Sequence, residues 1–147
     1  MFKHLLVPTD GSDLSEATVN RAISFAKETG ARITFFYAQP DFPMPIYGEG
    51  ALIDPTTPEQ FAKGAAQEAA RILDDARGKA EAVDVVCDTD TLVSEIPYEA
   101  IIDAAERHGC DLIFMASHGR RGLASLLLGS ETQKVLTHSK TPVLVYR

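Results

Sequence analysis

The residues of this chain best suited to chemistry gather at two short turns. One reads Pro8-Thr9-Asp10-Gly11-Ser12. The other reads Ala116-Ser117-His118-Gly119-Arg120-Arg121-Gly122, with Gly129-Ser130 following it. Gly119 and Gly122 let the backbone adopt positive φ and come close to a bound group. Gly129-Ser130 stands where a last helix is expected to open. Backbone N–H groups at a helix start, at the positive end of its dipole, suit an anion. The Ser130 hydroxyl adds a donor, and Arg120 and Arg121 add positive charge. The combination suggests a phosphate cradle. Spacing alone supports a second reading equally well: the glycines only turn the chain, Ser130 only caps a helix, and the arginines form a solvated loop tip. Neither the pattern GxxxxGK[ST] nor the fingerprint GxGxxG occurs.

Five strands and four helices are expected to position these turns. His4 to Val7 is a short apolar run stopped by Pro8. Ser12 to Thr29 has helical spacing, with Leu14, Thr18, Ala22, Phe25, Ala26 and Thr29 on one stripe, Ser12 as N-cap and Gly30 just past the end. Ile33 to Ala38 is β-branched and aromatic, hence a strand. Four prolines exclude a regular helix over Gln39–Thr57. A segment this long is expected to be a lid, an interface arm or a mobile stretch. Pro58 to about Glu81 reads as a long helix carrying Gly64, Val83 to Cys87 as a third strand, and Pro97 to Gly109 as a helix begun by proline. Leu112 to Ala116 is a fourth strand. A helix from about Ser130 to Thr137 and a last strand, Val143 to Tyr146, complete the chain.

Alternating strands and helices, with strands that are continuous apolar runs, predict an α/β fold. It would be a three-layer, open, parallel five-stranded sheet with helices on both faces, Rossmann-like in plan and a single domain over residues 1–147. Ligands in such sheets bind outside the carboxyl ends of the strands, where the winding order reverses. If the chain winds outward from strand 1 and returns to lay strand 4 beside it, the two turns face each other across that crevice.

At 147 residues, with 45% apolar and 24% charged residues, the chain has the balance of a globular domain. The formal charge of −7 disfavours nucleic acid and anionic membrane surfaces as partners. No apolar run is long enough to span a bilayer, and Asp10 comes too early for a secretory leader. Cys87 and Cys110 are not clustered like metal ligands and read as two buried, reduced thiols. A cytoplasmic protein is the expectation.

Taken together, Leu5-Leu6-Val7-Pro8-Thr9-Asp10-Gly11-Ser12, Asp111 to Gly122, Leu127-Leu128-Gly129-Ser130 and Pro142-Val143-Leu144-Val145 resemble the universal stress protein family in order and spacing over the whole chain. The ATP-binding branch of that family carries Gly-x2-Gly-x9-Gly-Ser/Thr. The register that fits here is Ala116-x2-Gly119-x9-Gly129-Ser130, in which Ala116 replaces the first glycine. A methyl group there could obstruct the ribose, or force a φ that alanine dislikes; in ordinary strand or helix it costs little.

The resemblance implies ATP or AMP as ligand, with Mg²⁺ or Mn²⁺ accompanying ATP, and a role in stress response or signalling. Pro8, Thr9 and Asp10 would line the nucleoside side, Asp10 near the ribose or a metal ion. Ala38 would offer its backbone to the base edge. Met115 and Ala116 would floor the pocket. Gly119, Gly129, Ser130 and Glu131 would surround the phosphates, with His118 and Arg120 beside them. Plainer readings stand next to these: Met115 as core, Asp10 as a turn residue, Glu131 as a first-turn helix acid. His4, His108 and His138 show no ligand-like grouping.

Two further function classes stay open. One is a dimeric protein-interaction module that binds no nucleotide, which the Ala116 replacement favours. The other is an ATP pyrophosphatase, whose Ser-Gly-Gly-x-Asp-Ser loop Asp10-Gly11-Ser12-Asp13-Leu14-Ser15 matches poorly. No nucleophile–base pair is evident, so a binding protein with at most slow ATP hydrolysis is expected rather than an enzyme. The apolar last strand, Val143–Tyr146, is an edge that invites its twin, so a homodimer through it is expected.

Overall fold

The computed structural model describes residues 1–43, 57–119 and 128–147. Nine elements follow in the order β1 (His4–Pro8), α1 (Asp13–Thr29), β2 (Arg32–Gln39), α2 (Pro58–Glu81), β3 (Cys87–Val93), α3 (Pro97–Arg107), β4 (Leu112–Ala116), α4 (Ser130–His138) and β5 (Val143–Tyr146). The sheet is all-parallel with strand order β3-β2-β1-β4-β5. The winding therefore reverses between β1 and β4, as the two-turn reading required.

Helix boundaries follow local chemistry. The Ser12 side chain accepts from the Ser15 N–H and starts α1, and Gly30 ends it in the left-handed region at φ 76°. Thr57 and Gln60 form a reciprocal capping box at the start of α2. Gly64 lies on the exposed side of α2 and meets nothing within 4 Å. The buried stripe of α1 is Ser15, Thr18, Val19, Ala22, Ile23 and Ala26. It is rotated from the expected one: Leu14 and Phe25 flank it, and Thr29 is exposed, bonding back to the Phe25 carbonyl at 2.8 Å.

Alternate strand residues build two cores. Leu5, Val7, Ile33, Phe35 and Phe114 pack with the inner faces of α1 and α2. Leu6, Phe36, Ile113 and Met115 pack with α3 and with Val135 of α4. Each large side chain so buried contributes roughly 1.5–3 kcal/mol.

The third strand departs from expectation. It runs over Cys87–Val93, not Val83–Cys87. The Val83-Asp84-Val85-Val86 stretch is the connection from α2: Asp84 takes φ 61°, Val85 is buried and Val86 exposed. The strand proper, Cys-Asp-Thr-Asp-Thr-Leu-Val, is an edge, so one row of its side chains is polar. Asp88 pairs with Arg32, and Asp90 bonds Arg107 and His108, both at 2.9 Å. Burial pushes the Asp90 carboxyl up, but the hydrogen bonds from His108 and Arg107 more than offset it and hold it below its ordinary value.

Both cysteines are free thiols. Cys110 is buried, which pushes it up to about 12; Cys87 is only half-buried. Among the described residues no helix is long and apolar enough to cross a membrane.

Candidate functional site

β1 and β4 are neighbours, yet their register covers only Leu5–Leu112 and Leu6–Ile113, although β1 runs to Pro8 and β4 to Ala116. Pro8 supplies the physical reason. The Thr9 N–H donates to the Phe36 carbonyl at 2.9 Å, so the peptide groups of residues 7 and 9 face β2 and those of residues 6 and 8 face β4. Proline has no N–H to give, and the ladder toward β4 stops there. A gap therefore opens at the carboxyl ends of the two central strands.

The walls of this gap are the two turns. Gly11 takes φ 77°, and the Asp10 Oδ1 accepts the Ser12 N–H at 2.9 Å, which closes the first turn. From the other wall Gly119 approaches so closely that a Cβ on it would lie 2.5 Å from the Asp10 Oδ2. The third piece is the start of α4. Gly129 donates its N–H to the Ser117 carbonyl at 2.6 Å, and a Cβ there would lie 3.0 Å from the His118 Cα. A side chain at 119 would displace the Asp10 carboxylate, and one at 129 would press on the His118 backbone.

Gly129 is the N-cap of α4, and among the described residues no side chain caps its first turn. The contrast with α1 and α2, each capped by a hydroxyl, is direct. Ser130 is exposed as the first helical residue and not the cap. Among the described residues, the opening amides of α4 have no side-chain acceptor.

Ala116 is 7% exposed, lies in β4 opposite Tyr146 and has no positive φ. Its methyl thus imposes no backbone strain. Its carbonyl accepts the Thr132 Oγ1–H at 3.0 Å, which ties α4 to the end of β4. Ser117 extends that tie: its N–H donates to the Tyr146 carbonyl at 2.8 Å, and its hydroxyl lies 3.2 Å from the His118 Nδ1. Sequence reasoning missed Thr132 and Ser117. Both are buried polar residues whose main signal is position: Thr132 three residues past the helix-opening glycine, Ser117 directly after the last strand residue.

On the other side of β1, β2 outruns it. The Gln39 carbonyl faces β3, where it accepts the Ser94 N–H at 3.0 Å, so strand alternation turns the Ala38 N–H and C=O toward the side where β1 has already ended.

Two expected residues, Met115 and Glu131, also make contacts outside the two turns. Met115 is buried in the α3-side core with Leu6, Phe36 and Val135. Glu131 Oε2 accepts the Tyr98 N–H at 2.8 Å in the first turn of α3, which lacks a side-chain cap of its own, and Oε1 lies 3.4 Å from Lys134 Nζ. Arg120, Arg121, Gly122 and residues 44–56 lie outside the described residues.

Away from the gap, His4 Nε2 lies 2.8 Å from the buried Thr34 hydroxyl. Burial, with Arg32 and His108 nearby, lowers its pKa. Among the described residues no group of three or more His, Cys, Asp or Glu is placed to hold a metal ion.

Comparison with known proteins agrees with this architecture. A universal stress protein from Methanocaldococcus jannaschii, MJ0531, is 33% identical over all of this chain and 83% of its own length. The solved structure of M. jannaschii MJ0577 superposes with a TM-score of 0.80 at 26% identity, covering 99% of this chain and 95% of that one. A universal stress protein solved in complex with cAMP superposes at 0.70 with 26% identity, covering 99% and 97%. The profile of the universal stress protein family matches residues 1–147. With a five-stranded parallel sheet split between β1 and β4 and a family match over its whole length, the chain belongs to the universal stress protein family.

Proposed function

We propose that this protein binds an adenine nucleotide in the gap between β1 and β4, and that it belongs to the ATP-binding branch of its family despite Ala116. The observation that carries the reading is the glycine-capped start of α4, without a side-chain cap among the described residues, brought by the Gly129–Ser117 bond to the place where the β1–β4 pairing ends. A phosphate group there would receive the first amides of α4 and the exposed Ser130 hydroxyl, and would feel the helix dipole. The Ala38 peptide meets the base edge, Thr9 and Asp10 the ribose. A relative in complex with cAMP supports an adenylate.

Mg²⁺ or Mn²⁺ would accompany ATP. Such ions bind through one or two carboxylates together with phosphate oxygens and retained water, and a single carboxylate, Asp10, fits that donor set. The metal's chemistry would be charge neutralisation of the phosphates. Catalysis is not part of the proposal. In the cleft, the His118 Nδ1 is engaged with its neighbour Ser117, and Glu131 is committed to α3. The protein acts in the cytoplasm as a homodimer joined through β5, and nucleotide occupancy sets its partner preference by binding one conformation better than another.

The test is titration calorimetry of nucleotide-free protein with ATP, ADP and AMP. Saturable binding of one nucleotide per chain is expected. Absence of heat and of any thermal shift with all three refutes the reading and favours the interaction module.

A further inference from the structure

The end of the sheet opposite the gap carries a second indentation. It lies where β1, β2 and β3 begin and is lined by Lys3, Lys27 and Arg32 with Ala26, Ala31 and the Val83–Val86 connection. Its volume is about 440 Å³, within the roughly 300–1,000 Å³ of small-molecule sites. A slot between α1 and α2, by contrast, holds about 20 Å³, room for one water.

Three features make the basin unlike ordinary surface. Its floor is apolar, formed by Ala26, Ala31 and Val85, all buried. Val86 stands at its side 67% exposed, an uncovered apolar side chain at the edge of an apolar floor. Its lining carries three cations against one acid, Asp84, in a chain whose net charge is −7. Arg32 is paired with Asp88, which leaves Lys3, Lys27 and the acid Asp84 as exposed lining charges without a side-chain salt bridge among the described residues, an excess of one positive charge.

We propose that this basin is a binding site for a small organic anion: a carboxylate or phosphate head held by Lys3 and Lys27, with a short aliphatic body laid on Ala31, Val85 and Val86. The charge reversal draws the anionic head, and the body removes apolar surface from water at roughly 25 cal/mol per Å². The site lies at the amino ends of the strands and shares no residue with the nucleotide gap, so it stands or falls independently of that reading.

Sodium octanoate is the probe, titrated into the isotope-labelled full chain and followed by amide NMR shifts, with inorganic phosphate as a separate arm. The expected result is saturable shifting of the Ala26, Ala31, Val85 and Val86 amides, weakened about tenfold in K3Q/K27Q, and abolished in V86E. Phosphate alone is expected to give no saturable shift. The inference is overturned by absence of saturable shifts at millimolar octanoate, by shifts centred on Thr9, Asp10 and Gly119, by phosphate binding as tightly as octanoate, or by an unchanged response in K3Q/K27Q. That last variant keeps the test decisive should V86E fail to fold.

Discussion

Gly119→Ala probes the geometry on which the functional reading depends. A Cβ at this position would lie 2.5 Å from the Asp10 Oδ2, about 0.9 Å inside the shortest ordinary van der Waals separation. The carboxylate must therefore turn away, and the turn costs a bond, because Oδ1 of the same group holds the Ser12 N–H at 2.9 Å. A hydrogen bond to a charged group is worth about 1.5–3 kcal/mol, with the lower end appropriate to a part-exposed turn. The expected stability loss is about 1–2 kcal/mol, read as a fall in Tm of roughly 2–8 °C for a chain of this size. Urea denaturation followed by circular dichroism gives the free energy directly. In the proposed binding mode the displaced carboxylate would be the one facing the ribose, so nucleotide affinity should fall at least about tenfold. The decisive arm is a double-mutant cycle. Asp10→Ala removes the group the methyl collides with, so Gly119→Ala should cost much less in that background, giving a coupling of about 1 kcal/mol or more. Additive effects, or a single Gly119→Ala change below about 0.3 kcal/mol, would show that the two turns do not meet as described.

Three further expectations follow from the same geometry. Ala116→Gly, which restores the family's glycine, removes a buried methyl from an ordinary strand position; it should cost about 1–2 kcal/mol of stability and change ATP affinity by less than about threefold. A tenfold gain in affinity would mean that the methyl obstructs the sugar. In β5 the carbonyls of Pro142 and Tyr146 face β4, so alternation turns the peptide groups of Val143 and Val145 outward. Val145→Pro should then abolish dimerisation in analytical ultracentrifugation while the monomer keeps its helical circular dichroism; an intact dimer would exclude this edge as the interface. The lowered pKa of His4 means that the unfolded state takes up its proton first as pH falls. Stability from this residue is fully present above the ordinary value near 6.5 and is lost as pH falls through the lowered folded-state value, so His4→Gln should flatten the stability–pH curve below about 6.5.

How much of this was legible in the sequence depended on whether a signal was local. β4 and β5 are short apolar runs bounded by turn residues, and α1 and α2 open at a serine and a threonine–proline pair. Such signals act within a few residues, and those boundaries held. β3 did not follow, because a strand at the edge of a sheet can satisfy aspartates with Arg32, Arg107 and His108 from elements distant in the chain. Composition therefore pointed to the apolar Val83–Val86 stretch, which is a connection. The rotated stripe of α1 has the same origin: its buried face includes Ser15 and Thr18, whose polarity hid them, and Thr18 spends its hydroxyl on the Leu14 carbonyl at 2.7 Å.

The candidate site divides along the same line. Gly119 and Gly129 could be singled out by type and spacing, but the reasons for them are long-range: one faces Asp10 from the first turn, the other the backbone of Ser117 and His118. Pro8 is the converse case. As a sequence feature it merely ends an apolar run, yet in the sheet its missing N–H breaks the β1–β4 ladder and makes the gap. Glu131 has a contact that no motif shows. A carboxylate in the first turn of a phosphate-binding helix would repel the ligand if it pointed at it. Here it points the other way and accepts from the Tyr98 amide, closing α3 and bracing the helix that delivers Gly129. A positioning role predicts a distinct signature: Glu131→Gln, which keeps an acceptor for Tyr98, should leave nucleotide affinity nearly unchanged. Glu131→Ala should lower stability by about 1 kcal/mol or more and weaken binding only through α4. If Glu131→Gln instead tightens nucleotide binding by tenfold, the carboxylate faces the phosphates and the assignment to α3 is wrong.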